Sequence, residues 1–383
     1  MKIFIKIIVF ICAISFLNIE KISAEEKIKI GLLVPLSGEH SYIGKSIIRS
    51  VRLAVNKINN SSIEILPKDT ASNPEITLNK AKKLYEDGVR LIIGPVFNEN
   101  LVYLDELKDV IFLSLTNKTF DNPKNIISAG INANSQFNTI AKFQKLNEIK
   151  KTIILIPKKN YKEEIEKAIK QSKIKNSNVY YYDTDPTKLT SQIEKITRYP
   201  QRKQNLKDEI KRIEKSDELN KEIKINQLKK RDTLGKIHFD SVIISDFDET
   251  LKSITTSLLY TDVSPKKIYF ITLNQWFDES LLKEISLQPI YFPSINKDNY
   301  DEFVKTYHKT FDEYPNQLSF LSYDLVGLVY YLTIQNNFHI DKKMFLKKNM
   351  FKGKIGIFEV KNNKINHSLN FYKVEDNNFK KIF

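Results

Sequence analysis

The sequence predicts an α/β protein: two units of mostly parallel sheet flanked by helices, with a charged helical insertion in the second. Three observations carry this. Short apolar runs end in polar turns and are followed by amphipathic segments, the mark of strand–loop–helix units in an open sheet. That pattern runs through residues 28–131 and starts again from 135. Between them, strands and helices alternate closely enough to require parallel pairing.

The opening unit is the clearest. Ile30 to Val34 is an apolar run ending at Pro35, Ser37-Gly38 makes a turn, and Gly44 opens a segment with Ile47, Val51, Ala54, Val55 and Ile58 on one face. Ser37 therefore sits at the carboxyl end of a strand, where open sheets bind ligands. The loop has neither G-x-x-x-x-G-K-[ST] nor G-x-G-x-x-G, so it is not a phosphate loop. Ile63 to Leu66 reads as the second strand, and Asn73-Pro74 as the start of a helix reaching Tyr85, ended by Gly88. Val89 to Ile93 is the third strand, before Gly94-Pro95. Leu101 to Leu107 is expected to be helical, and Val110 to Leu115 and Ile126 to Ile131 to be strands.

In the second unit, Ser135 to Leu146 is a helix, Lys151 to Ile156 a strand ending at Pro157, Tyr161 to Ser172 a helix and Val179 to Tyr182 a strand. Residues 188–236 differ. Residues 201–232 hold eleven Lys/Arg and seven Asp/Glu, with Leu206, Ile210, Ile213, Leu219 and Ile223 at helical spacing. This reads as a long solvated helix or helical hairpin, or a partner-binding arm. His238 to Ser245 and Lys267 to Leu273 return to buried strands around a helix at Leu251 to Leu259. Ile290 to Pro293 is short and extended. Tyr300 to Phe311 and Leu318 to Gln335 are helices, the latter apolar nearly all round and so buried. In the tail, GIFEV and NFYKV flank Asn362-Asn363 and read as a hairpin.

Composition narrows the function. The 383 residues carry a formal charge of +15, spread along the chain with no recognised nucleic-acid module. No nucleic-acid partner is expected; the charge reads as compositional drift in a chain rich in Lys, Ile and Asn, with attraction to anionic membrane or cell-wall material as the weaker reading. Residues 1–24 read as a secretory signal peptide: Lys2 and Lys6, an apolar core from Ile7 to Leu17, and Ile22-Ser23-Ala24 as cleavage site. The single cysteine, Cys12, lies in that core, so a mature chain would hold no thiol. His40, His238, His308, His339 and His367 are scattered without metal-ligand spacing, and Ser37 is not in a G-x-S-x-G elbow. The chain is expected to be no enzyme and to need no metal or cofactor.

Taken together, GLLVPLSG…YIGKSIIRSVRLAVNKIN, Asp69-Thr70…Asn73-Pro74, Leu91 to Pro95, Tyr161 and FKGKIGIFEV at 351–360 resemble, in order and spacing, the type I periplasmic substrate-binding proteins, in particular the leucine/isoleucine/valine-binding group. Leu113-Ser114-Leu115-Thr116, Asn274-Gln275-Trp276, Leu321-Ser322-Tyr323-Asp324 and the tail are also similar to the penicillin-binding-protein activator branch. The resemblance implies two Rossmann-like lobes joined by a hinge, 25–130 plus 293–350 and 131–292 plus 351–383, closing on a ligand between them. It implies a periplasmic protein. Its role would be delivering a small amino-acid-like or polar ligand to a membrane ABC permease, or alternatively regulating peptidoglycan synthesis through a penicillin-binding protein. By position, the implied ligand contacts are Ser37, Asn98, Thr116 and Asn117 on lobe one, and Tyr161, Asp246, Phe247, Asn274 and Trp276 on lobe two. Lys118 stands where amino-acid binders tend to have threonine, and a lysine there would meet an anionic ligand. Lys162 replaces a usual glycine. Asp69 reads as a structural loop residue, and Tyr323-Asp324 as a tie on a buried helix.

Overall fold

The structure, a computed structural model, describes residues 27–59, 63–174 and 176–383. The signal-peptide segment with Cys12 lies outside the described residues.

The first sheet contains β1 (Ile28–Val34), β2 (Ile63–Asp69), β3 (Leu91–Ile93), β4 (Ile111–Ser114) and β5 (Ile126–Ser128), in the order β2-β1-β3-β4-β5 and parallel throughout. Helix α1 (Ser41–Ile58) buries Ile43, Ile47, Val51 and Ala54, the face its spacing predicts. Gly44 lets the helix start lie on the β1 loop, since a Cβ there would sit 1.8 Å from the Pro35 carbonyl oxygen. Helix α2 (Pro74–Glu86) begins where Asn73-Pro74 signals: the Asn73 side chain accepts from the Ile76 N–H at 3.0 Å. The expected helix over 101–107 is instead two 3₁₀ turns, Asn98–Leu101 and Leu104–Glu106. Leu101 and Leu104 are both buried and three residues apart, the period of the tighter helix.

The second sheet repeats the order. Helix α3 (Ala133–Leu146) leads to β6 (Thr152–Pro157), α4 (Lys162–Gln171) and β7 (Ser177–Tyr182), and strands β8 (Ser241–Ile244), β9 (Tyr269–Thr272) and β10 (Ile290–Ser294) complete the parallel part, β7-β6-β8-β9-β10. The charged segment resolves into three helices. Helix α5 (Pro186–Ile196) buries Leu189 and Ile193 against the sheet's flanking helix α8 (Asp248–Tyr260), so it belongs to the core layer. Helices α6 (Tyr199–Glu214) and α7 (Lys221–Lys229) form the protruding hairpin, and α7 buries no residue.

After a single turn, α9 (Ser280–Lys283), and β10, the chain returns to the first sheet as α10 (Lys297–Phe311) and α11 (Gln317–Gln335). Helix α11 packs closely on α1 because serines face each other, Ser46 Oγ to Ser319 Oγ at 2.6 Å, each satisfying the other's buried hydroxyl. A small antiparallel sheet follows: β11 (Asn349–Lys352), β12 (Ile357–Lys361) and β13 (Lys364–Ser368). The Asn362-Asn363 turn is present, both residues at positive φ, but the partner of GIFEV is KINHS. NFYKV leaves as β14 (Asn370–Glu375), pairs antiparallel with the open edge of β10, and is capped by β15 (Asn378–Lys381).

Three segments cross between the sheets: 129–132, 295–296 and the small β11–β13 sheet. The last touches both sides. Asn132 Nδ2 donates to the Ile365 carbonyl at 2.9 Å, and the Asp324 carboxylate on α11 accepts from the Lys354 and Ile355 N–H groups at 2.9 and 2.6 Å. Gly353 makes room for that carboxylate, as a Cβ there would lie 2.3 Å from it.

Candidate functional site

The carboxyl ends of both parallel sheets open onto a cavity of about 950 Å³. Its first wall is the turn after β3 and the end of β4, with Phe97, Asn98, Thr116 and Asn117. The opposite wall follows β8 and β9, with Phe247, Asn274, Gln275 and Trp276. Tyr300 on α10 and Tyr314 close one end. This is the crevice expected at strand ends in open α/β sheets, here contributed by two sheets facing each other.

Six of the nine implied contacts thus come together: Asn98, Thr116, Asn117, Phe247, Asn274 and Trp276. Asn274 is buried and builds its loop. Its Oδ1 accepts from Ser294 Oγ at 2.8 Å and from the Trp276 N–H at 3.0 Å, while its own N–H donates to Gln136 Oε1 at 2.8 Å. Trp276 and Phe277 both hold positive φ, at 48° and 59°, which for bulky residues is strained backbone kept in place by that network. The strain sits at the cavity wall and turns the indole, half-buried, toward the space.

Ser37, Tyr161 and Asp246 do not line the cavity. The β1 loop carrying Ser37 is tied to Asp69, whose Oδ1 accepts from the N–H groups of Leu36 (2.7 Å), Ser37 (3.3 Å) and Ala71 (2.8 Å). Burial works to raise the Asp69 pKa, but these bonds, led by Leu36, outweigh it and hold it below the usual value, which fits a structural residue. Asp246 is buried and fully engaged: it pairs with Lys159 Nζ at 2.9 Å and accepts from Tyr182 OH at 2.7 Å and from the Phe247 N–H at 3.0 Å. Tyr161 turns its hydroxyl to the Ser245 carbonyl at 3.3 Å and to Asp246 at 3.4 Å. Burial first, and the Asp246 charge second, push the Tyr161 and Tyr182 phenols up, so both keep their protons. A strand-end position is shared by all three residues, but each side chain is spent on its neighbours.

Lys118 is also absent from the wall; its Nζ lies 5.1 Å from the Phe120 ring centroid. Lys162 lies over Tyr181 at 4.5 Å and pairs with Glu166 at 3.6 Å. Neither departure from the family pattern reaches the cavity. Several wall residues escaped the sequence reading. Gln136, Asp248, Asp278 and Glu279 lie within a few residues of strand ends or the first crossing, so position alone signalled them. Tyr300, Asp301 and Tyr314 had no such signal, because only the packing of α10 brings them over the cleft. Among the described residues no group of His, Cys, Asp and Glu side chains is arranged to hold a metal ion, and no helix is long and apolar enough to cross a membrane.

Comparison with known proteins agrees with this geometry. A family model described as periplasmic binding protein matches residues 27–198. No curated protein matches by sequence. Among solved structures, the C-domain of LpoA (YraM) from Haemophilus influenzae, described as a regulator of PBP1A, superposes with a TM-score of 0.62 at 14% identity, covering 93% of this chain and 100% of that one. Against full-length LpoA from the same organism, the match spans 59% of that protein's length. A branched-chain amino acid ABC transporter protein from Rhodospirillum rubrum gives 0.71 at 12% identity, covering 93% and 100%. The leucine binding protein LivK of Thermotoga maritima gives 0.57 at 14%, covering 93% and 98%. The chain therefore has the type I periplasmic-binding-protein fold, and it resembles both the amino-acid-binding and the LpoA-type carriers of that fold.

Proposed function

We propose that the chain works outside the cytoplasm as a binding protein, without catalysis, whose two lobes close on a small amino-acid-like or polar ligand for delivery to a membrane ABC permease. The observation that carries this is the cavity of about 950 Å³ between the strand ends, walled by aromatic and polar side chains from both sheets. Its lobes would be 25–130 plus 293–350 and 131–292 plus 351–383, moving about the three crossings. Asn98, Thr116, Asn117, Asn274 and Trp276 are the proposed ligand contacts; Ser37, Tyr161 and Asp246 support the surrounding loops. A thermal-shift screen of the full chain against amino acids and muropeptides tests the reading. A true ligand at a hundredfold excess over Kd adds about 2.7 kcal/mol of stability. No stabilisation across the amino acids would overturn the transport role.

A second reading, a regulator of peptidoglycan synthesis acting on a penicillin-binding protein, is favoured by the α6–α7 hairpin. Leu219 is 89% exposed at its tip, and the LpoA C-domain is matched over its full length. Co-purification with a penicillin-binding protein, lost on deleting 217–230, is the expected result; unchanged co-purification would remove the hairpin from the account.

A further inference from the structure

The charge of the cleft runs against the charge of the chain. With 61 Lys and Arg in 383 residues, a wall of this size would be expected to carry several cations. It carries none. It carries five carboxylates instead: Glu99, Asp248, Asp278, Glu279 and Asp301. Two have local partners. Asp301 pairs with Lys297 Nζ at 2.7 Å, and Asp278 accepts from the Ser280 N–H and Oγ at 2.8 and 2.6 Å. Glu99, Asp248 and Glu279 have no ion pair among the described residues. They also stand on opposite walls, Glu99 after β3 and the other two after β8 and β9.

The second feature is the aromatic lining. Phe97, Phe247, Trp276, Phe277, Tyr300 and Tyr314 border the same space. Ring faces carry negative electrostatic potential and attract cations, Trp most strongly, and the attraction grows when water is excluded. Low-dielectric walls lined by one sign of charge focus the field and concentrate counter-charged solutes. Lys297, outside the lining, lies against Asp301 and 5.4 Å from the Phe277 ring centroid, but the lining itself joins aromatic faces to three unpaired, exposed carboxylates and holds no lysine or arginine, which favours cations over anions. The size, about 950 Å³, exceeds what a bare ion fills and suits an organic molecule.

We propose, building on the reading of this cleft as a small-ligand site, that its ligand is an organic cation. It would be an ammonium- or guanidinium-bearing molecule with an apolar or aromatic body, whose charge lets Glu99 on one wall approach Asp248 and Glu279 on the other. Without a cation between them, bringing these carboxylates together costs like-charge repulsion. A bound cation sits between them, its apolar part against Trp276 and Phe247, and favours the closed state by binding it better than the open one.

The test uses the full chain and named probes. L-arginine, tyramine and choline represent the cationic class; L-leucine, L-glutamate and 3,4-dihydroxybenzoate represent neutral and anionic ligands. Thermal shift followed by calorimetry should show at least one cationic probe raising Tm, with affinity falling as NaCl rises, and no stabilisation by the anionic probes. The double variant Asp248→Asn/Glu279→Gln should bind that probe about tenfold more weakly. Glu249→Gln, a neighbour paired with Lys252 and outside the wall, should bind it unchanged. If leucine, glutamate or dihydroxybenzoate stabilises the chain and no cation does, the inference is overturned while the cleft reading stands. Unchanged cation binding in the double variant also overturns it. If none of the six probes shifts Tm, the cleft reading fails and takes this inference with it.

Discussion

Thr119 and Glu164 tie the two sheets together across the hinge: Thr119 Oγ1 donates to Glu164 Oε1 at 2.6 Å, and the Thr119 N–H to Oε2 at 3.2 Å. Thr119 lies in the loop after β4, Glu164 in the first turn of α4. Beside them Lys167 Nζ sits 3.4 Å from the Phe120 ring centroid. These are exposed contacts, worth about 1 kcal/mol each at most. Glu164→Ala should therefore shift the lobes toward an open arrangement without unfolding either. The radius of gyration in solution scattering should rise, and affinity for a cleft ligand should fall several-fold, about 1 kcal/mol. A radius and affinity equal to the parent's would remove this pair from the closure.

Asp324 links pH to stability. Burial pushes its carboxyl up to about 6, even though the Ile355 and Lys354 N–H groups and the Lys354 charge act to lower it. The folded carboxyl binds its proton more tightly than the unfolded chain's, so its contribution is full below about pH 4 and is lost as pH rises through 6. That loss is on the order of 3 kcal/mol. Urea unfolding at pH 4, 5, 6 and 7 should therefore show stability rising more steeply with pH in Asp324→Asn than in the parent. The same slope in both would contradict it.

His367 acts in the opposite sense. It is fully buried on β13, with Nε2 2.9 Å from the Ala129 carbonyl, so the ring must carry its proton on Nε2 and donate. Burial, partly offset by that bond and by Gly130, lowers its pKa to about 4. The unfolded histidine takes up a proton from about pH 6.5 downward and the folded one does not. Its contribution is therefore present above 6.5 and lost as pH falls toward 4. The two groups partly cancel in the parent, and His367→Gln should raise the relative stability at pH 4.5. A variant whose stability depends on pH as the parent's does would rule this out.

The helical hairpin should divide sharply into root and tip. Arg202 is 4% exposed and donates to the Thr197 carbonyl at 3.1 Å, to Thr233 Oγ1 at 3.0 Å and to the Thr261 carbonyl. Arg202→Ala leaves those acceptors unpaired in the core and should cost about 3–5 kcal/mol. Leu219→Ser and Ile223→Ser, at positions 89% and 58% exposed, should stay within about 0.5 kcal/mol of the parent. Denaturation midpoints decide both, and a large loss from the tip variants would mean that α7 is not the free end of the arm.

Most of the fold was legible along the chain because its signals are local. An apolar run before Pro35, an Asn73-Pro74 helix start and the all-round apolar α11 each depend on a few adjacent residues, and each appears where its residues place it. The misjudged stretches are those where a partner distant in sequence decides. Leu101 and Leu104 suit a 3₁₀ turn as well as an α-helix, and NFYKV could pair with its neighbour or with β10. An exposed edge on β10 settled the second case, and no short-range pattern records an edge.

The candidate site divides along the same line. Strand-end position is a local property, and it pointed to Asn98, Thr116, Asn274 and Trp276, which the structure brings to one cavity. It could not tell which strand ends face the other sheet. Ser37 and Asp246 share that position, yet Asp69 and Lys159 draw them into loop-building contacts, and those partners lie tens of residues away in the chain. The sign of the cleft was equally hidden: a chain of charge +15 reads as basic throughout, and only packing gathers five carboxylates around one cleft while Lys118 and Lys162 lie against their own aromatic neighbours. Residue order specifies which elements form, because helix and strand preferences act over a few positions. Which side chains meet across the cleft, and so what the cleft can hold, follows from how two sheets and three crossings bring distant residues within a few ångströms.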